Sequence, residues 1–186
     1  MTIHLSFHNM HKAIVLSVFV AILSACTPAR EKMETKISAT EERLFNSASG
    51  FSRTGADSLI DLYQEYVGKY PSDSLAPVYL FKAATLTMNL LQGERSIGLF
   101  SRFKEKYPDH RNVPLCLFFT GYIQENIFGK LDKARETYTL FLETYPDHEF
   151  ADDAKASIEN LGKTPEEMIR EFEARRQTQE EGNQPR

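Results

Sequence analysis

His110 and His148, the adjacent carboxylates Asp152-Asp153 and Glu166-Glu167, and the thiols Cys26 and Cys116 are the residues whose types and spacing could do chemistry. His110 and His148 each follow a Tyr-Pro-Asp triplet. Zinc asks for three or four converging ligands, whereas these two stand one repeat length apart. They read as polar turn residues opening the next helix. Asp152-Asp153 and Glu166-Glu167 are neighbouring carboxylates. Adjacent helical residues diverge by about 100°, so these pairs suit the positive end of a helix dipole better than shared acid–base work. Cys116, in the stretch LCLFFTGY, reads as a small buried hydrophobe. No Gly-rich phosphate loop, serine elbow or Cys–His pair with a third member occurs. The expectation is therefore no catalytic residue, no metal and no cofactor. The chain reads as a non-enzyme with no small-molecule substrate.

Cys26 is the thiol that remains, and an apolar run leads to it. Ala13 to Ser24 reads AIVLSVFVAILS, uncharged and preceded by Lys12. As a helix it would span about 18 Å, short of the roughly 30 Å of a bilayer core. That length fits the apolar region of a signal peptide. The run closes on Leu23-Ser24-Ala25-Cys26, which resembles the lipobox of bacterial lipoprotein precursors. The resemblance implies a signal peptide over residues 1–25 and lipid attachment at Cys26. Met10-His11-Lys12 would itself make a short basic start, so translation could begin at Met1 or Met10. Thr27 is not the Asp that retains lipoproteins at the inner membrane in the best-known sorting rule. By the same resemblance the expected location is the outer membrane, facing the periplasm. The formal charge of −4 and pI near 5.8 give no electrostatic reason for nucleic-acid binding.

Beyond the tether the chain repeats itself. Tyr70-Pro71, Tyr107-Pro108 and Tyr145-Pro146 are spaced by 37 and 38 residues. Tyr63, Phe100 and Tyr138 stand eight residues before the prolines, and Tyr66, Phe103 and Phe141 five before. Offsets of three and four share a helix side, so these columns mark one buried face. Ala83 and Gly121 are small residues in apolar runs, placed to let two helices approach closely. Each unit reads as helix, turn, helix and a stopping proline. The expected helices are Glu31–Asn46, Ala56–Lys69, Leu75–Leu91, Arg95–Lys106, Val113–Phe128, Leu131–Thr144, Phe150–Leu161 and Glu166–Arg176. Thr164-Pro165-Glu166-Glu167 has the form of a capping box. The domain reading is a lipidated tether over 26–35, a helical repeat domain over 36–176 and a disordered polar tail over 177–186. The fold class is all-α, a short solenoid of helical hairpins.

Gly129, Ala134 and Pro146 match the spacing of the tetratricopeptide pattern, and Ser96 stands to Pro108 as Ala134 to Pro146. Units ending in Tyr-Pro resemble the subclass found in periplasmic lipoproteins. Examples are the lipoprotein subunit of the β-barrel outer-membrane assembly machinery and the Tol-associated division coordinator. One departure is the turn between the paired helices, whose glycine is shifted at Gly93 relative to Gly129. The resemblance implies a protein–protein interaction module, lined on its concave face by the first helix of each hairpin. By that analogy the groove residues are Leu80 and Met88, then Phe118, Tyr122, Glu125 and Asn126. The expected partners are a protein or peptide of the cell envelope and, through the lipid, the membrane. The alternative is a structural accessory subunit of an outer-membrane assembly or division complex.

Overall fold

The computed structural model describes residues 29–46 and 51–182. The signal segment and Cys26 lie outside the described residues. The helices are α1 (29–45), α2 (Arg53–Lys69), α3 (Leu75–Asn89) and α4 (Gly93–Lys106). After them come α5 (Val113–Asn126), α6 (Leu131–Thr144), α7 (Ala151–Asn160) and α8 (Pro165–Gly182). Among the described residues there is no strand, so the fold is all-α hairpins. No helix among them is long and apolar enough to cross a membrane. The chain forms two compact units, one up to Ala83 and one from Ala84.

Helix α1 begins inside the segment read as tether. Met33, Ile37 and Leu44 give it a buried side, and that burial against α2 is reason enough for the chain to be helical from residue 29. Three contacts set an antiparallel register with α2 and the turn after it. Tyr63 donates its hydroxyl to Glu41 at 2.6 Å, Tyr66 donates to Glu34 at 2.8 Å, and Arg30 pairs with Asp73 at 2.6 Å. Burial first, and then these carboxylates, push the Tyr63 and Tyr66 phenols up, so both stay protonated donors. Lys82 adds a second donor to Glu41 at 2.7 Å. Helix α2 starts at Arg53 because Ser52 caps it, accepting from the Gly55 amide at 3.2 Å.

In the second unit the main packing runs between sequence neighbours, α4 on α5, α5 on α6 and α6 on α7. That is the pairing rule of an α-solenoid. The core cluster joins Phe118, Ala134, Tyr138, Phe141 and Ala154. Gly121 decides how near α5 comes to α6. A Cβ there would lie 2.8 Å from the Tyr138 ring, so only glycine admits this contact. On α4, the place of Ala134 is taken by Ser96, fully buried and donating to the Ala84 carbonyl at 2.8 Å. The aromatic columns read from sequence are the core. Tyr66, Phe100, Phe103, Tyr138 and Phe141 are fully buried and Tyr63 is 2% exposed.

The turn between paired helices is corrected by the structure. Leu91 has φ +61° and Gly129 φ +64°, so the left-handed residue recurs at the same place, 38 positions on. The turn is not shifted; a leucine occupies the glycine position in one copy. Leu91 donates to the Met88 carbonyl at 2.8 Å and Gln92 to that of Thr87 at 3.1 Å. This paired bonding closes α3 at Asn89, short of the Leu91 expected. Gly93 instead opens α4, where a Cβ would lie 2.6 Å from the Phe128 ring. It is a packing glycine.

At the C-terminal end Thr164 and Glu167 form the reciprocal capping box. The Glu167 amide donates to Thr164 Oγ1 at 3.2 Å and the Thr164 amide to the Glu167 carboxylate at 2.8 Å. Helix α8 continues to Gly182, through the first part of the expected tail, because Gln177 to Glu181 contain no residue that stops it.

The left-handed positions predict opposite effects. Leu91 is 73% exposed, so Leu91→Gly loses little packing and relieves roughly 1–2 kcal/mol of left-handed strain. Against glycine's extra entropy of roughly 0.5–1 kcal/mol, the variant should be modestly more stable. Gly129→Leu, where a side chain meets open space, should lose a similar amount. Urea midpoints of the two variants check both signs.

Candidate functional site

Three turns with one geometry link the hairpins. Tyr70, Tyr107 and Tyr145 end α2, α4 and α6 with φ of −129°, −133° and −134°, and their amides close on Tyr66, Phe103 and Phe141. Three residues on, the side chain turns back to accept the amide two positions ahead. Asp73 does so for Leu75 at 2.9 Å, His110 for Asn112 at 3.1 Å and His148 for Phe150 at 3.1 Å. The histidines are thus turn residues, and each sets its ring edge-on to the aromatic before it, Phe103 or Phe141. Acceptance by Nδ1 requires a neutral ring. Burial first, and then Arg111, hold His110 below the usual histidine value. Asp73, by contrast, is held below the ordinary carboxylate range by the Leu75 amide and then by Arg30.

Nothing among the described residues gathers three His, Cys, Asp or Glu side chains into a metal-sized cluster. Cys116 is buried and free, and burial pushes its thiol up to about 12. A thiol so protonated is a poor nucleophile. Its Sγ rests 3.4 Å from the Asn112 carbonyl, as a packed side chain would.

The groove residues expected from sequence separate into two groups. Leu80 in the first unit, and Met88 and Phe118 in the second, are buried. Phe118 is the hub of the second core, with ring centroids 5.5 Å from Tyr138, 5.7 Å from Phe141 and 5.0 Å from Phe150. Glu125 is half-buried and accepts the Tyr138 hydroxyl at 3.0 Å. Tyr122, 42% exposed, and Asn126 reach the surface. Asn126 donates to the Tyr122 carbonyl at 3.1 Å and so ties the two into one short patch.

Around Tyr122 and Asn126 the open face of α5 is a stripe at helical spacing, Leu115, Phe119, Tyr122 and Asn126, each half-buried or exposed. Flanking it, Cys116 and Ile123 on one side and Phe118 and Gly121 on the other are buried. Sequence reading missed Leu115 and Phe119 because α5 is apolar nearly all round and offers no polar face to orient it. Phe119 leans on Phe100 of α4, with centroids 5.7 Å apart and ring planes 29° from parallel. One repeat on, α7 presents Asp152, Asp153 and Glu159 to solvent. The stripe is thus apolar and aromatic, in a unit whose next first helix is acidic.

The tetratricopeptide repeat family matches residues 116–148. The match runs from Cys116 in α5, through α6, to His148 in the turn that opens α7. It contains Gly121, Tyr138 and the Tyr145-Pro146 turn, the residues that set the helix approach and end the hairpin. No curated protein matches the chain. Tetratricopeptide repeats build surfaces for protein–protein contact, and Phe119, Tyr122 and Asn126 of the α5 stripe lie within the matched residues.

The neutral His110 makes a pH prediction. Its folded pKa lies below the unfolded value near 6.5. The contribution to stability is therefore full above about pH 6.5 and is lost as pH falls through the lower, folded value. His110→Asp copies the turn built by Asp73 and should lose less stability between about pH 7.5 and 5. Thermal melts of the two proteins across that range are the check, and equal slopes would sink the assignment.

Proposed function

We propose that the chain is a lipid-anchored, non-enzymatic interaction module of the bacterial outer membrane. It faces the periplasm and holds a protein or peptide of the cell envelope on the α5 stripe. The observation that carries the reading is the stripe on α5, Leu115, Phe119, Tyr122 and Asn126 at helical spacing and half-buried or exposed, all but Leu115 inside the matched repeat. A partner would lay apolar side chains along Leu115, Phe119 and Tyr122 and exchange hydrogen bonds near Asn126. The acidic side chains of α7 favour basic groups on such a partner. The anchor rests on Leu23-Ser24-Ala25-Cys26 and the apolar run before it. The tether is short, since α1 begins three residues after Cys26.

A second reading has its own support. Met168, Ile169 and Phe172 form an exposed apolar stripe on α8. Such a flank suits an accessory subunit built permanently into an envelope complex, where it would be covered.

The tests separate anchor from surface. Cys26→Ala should abolish labelling by a tagged fatty acid; unchanged labelling would end the lipoprotein reading. Crosslinked partners should be recovered from detergent-solubilised membranes with the Cys26 anchor retained. The exposed pair Tyr122→Ser with Asn126→Ala should then weaken recovery by about 30-fold if Tyr122 is a hot spot worth about 2 kcal/mol, with helicity and melting kept. Phe118→Ala, at a core hub, should instead lose about 3–5 kcal/mol of stability. Full recovery with the surface pair would move the binding site off α5.

A further inference from the structure

The first unit holds the start of α1 in one place. Arg30 meets Asp73 at 2.6 Å, and Asp73 lies in the turn between α2 and α3. Arg30 also lies 3.3 Å from Glu34 one turn along α1, while Glu34 takes the Tyr66 hydroxyl. Further on, Glu41 takes both Tyr63 and Lys82. With Met33 and Ile37 buried between these contacts and Leu44 buried beyond them, α1 is clasped along its length. Its two ends are therefore fixed landmarks of the first unit. The Arg30 end shares an edge with Tyr70, Pro71 and Ser72. The Leu44 end lies at the start of α2, where a Cβ on Gly55 would be 3.4 Å from Leu44 Cδ1. At 1.5 Å per residue these ends are about 24 Å apart.

Cys26 stands four residues before Arg30. Even fully extended, four residues reach about 14 Å, which is shorter than α1 is long. A lipid on that sulfur cannot leave the Arg30 edge far from the bilayer. The edge itself is suited to the interface. Pro71 and Ser72 are exposed, Arg30 counters the charge of Asp73, and Tyr70 lies tilted against Tyr66 with centroids 5.1 Å apart. Tyrosines favour the boundary between lipid and water.

We propose that the α2–α3 turn edge of the first unit, Tyr70-Pro71-Ser72-Asp73 with Arg30, rests on the lipid surface, and that α1 and α2 stand away from it. The exposed Phe45 and Phe51 then lie at the far end, in the periplasm. The inference rests on the lipid anchor at Cys26 proposed above.

The test uses the full-length lipidated chain in liposomes whose phospholipids carry a headgroup spin label. Ser72→Cys and Phe51→Cys each place a thiol-reactive fluorophore at one end of α1, and Cys116 is buried away from the reagent. Fluorescence at position 72 should be largely lost and that at position 51 retained. Inserting about ten Gly and Ser residues after Pro28, about 17 Å of added reach, should restore the fluorescence at position 72 while the protein stays on the liposomes. Equal quenching at both ends would mean that the unit lies flat, and quenching at neither that α1 is drawn off; either overturns the proposal. Fatty-acid labelling is read on the same protein. Failure to label overturns the anchor reading and this inference together, whereas labelling with the wrong quenching pattern overturns the orientation alone.

Discussion

The second unit depends on one close approach, the Tyr138 ring lying over the backbone of Gly121. Any side chain at position 121 would lift α6 away from α5. That shift would open the cluster of Phe118, Tyr138, Phe141 and Ala154, since the rings touch one another as well as the backbone. It would also break the hydrogen bond from Tyr138 to Glu125, a polar link at the rim of the same contact. Helix pairs packed this tightly transmit a local change across the whole interface.

The first unit answers the same need differently. Its aromatic columns are tyrosines, Tyr63 and Tyr66, whose hydroxyls reach carboxylates on α1. A tyrosine on the second helix of the hairpin and a glutamate on the first recur in Tyr138 and Glu125. The device lets a large ring be fully buried while its one polar atom is still bonded. Phe100, which has no hydroxyl, fills the same column in the intervening copy. One register therefore serves both apolar and polar versions of the contact.

The turns show how different residues can meet one geometric demand. Asp73, His110 and His148 all supply an acceptor for the amide that opens the next helix. A carboxylate and a neutral imidazole are equivalent for that purpose. They differ in what protonation does, because a proton on Nδ1 removes the imidazole's acceptor there, whereas a carboxyl group keeps a second oxygen that can accept. Leu91 is the opposite case, a residue ill-suited to a left-handed position that its copy gives to glycine.

The sequence by itself determined the periodicity, the aromatic columns, the prolines that stop each second helix and the capping box before α8. These follow from local rules: helical offsets, proline's missing N–H and a side chain that can cap. The turn between paired helices was not legible, since Gly93 drew attention as a turn glycine while Leu91 carried the left-handed angle. Only packing against Phe128 explains Gly93. The partners of α1 were hidden for a similar reason, because Arg30 and Glu34 look like solvated charges until Asp73 and Tyr66 are brought to them from some forty and thirty positions away in the chain. The surface of α5 was the hardest to read. Among Leu115, Phe118, Phe119 and Tyr122 all are large and apolar or aromatic, and hydrophobicity alone cannot say which face α4 and α6 will cover. The tertiary structure decided it by setting Gly121 against Tyr138, which turned Phe118 inward and left Tyr122 and Asn126 at the surface.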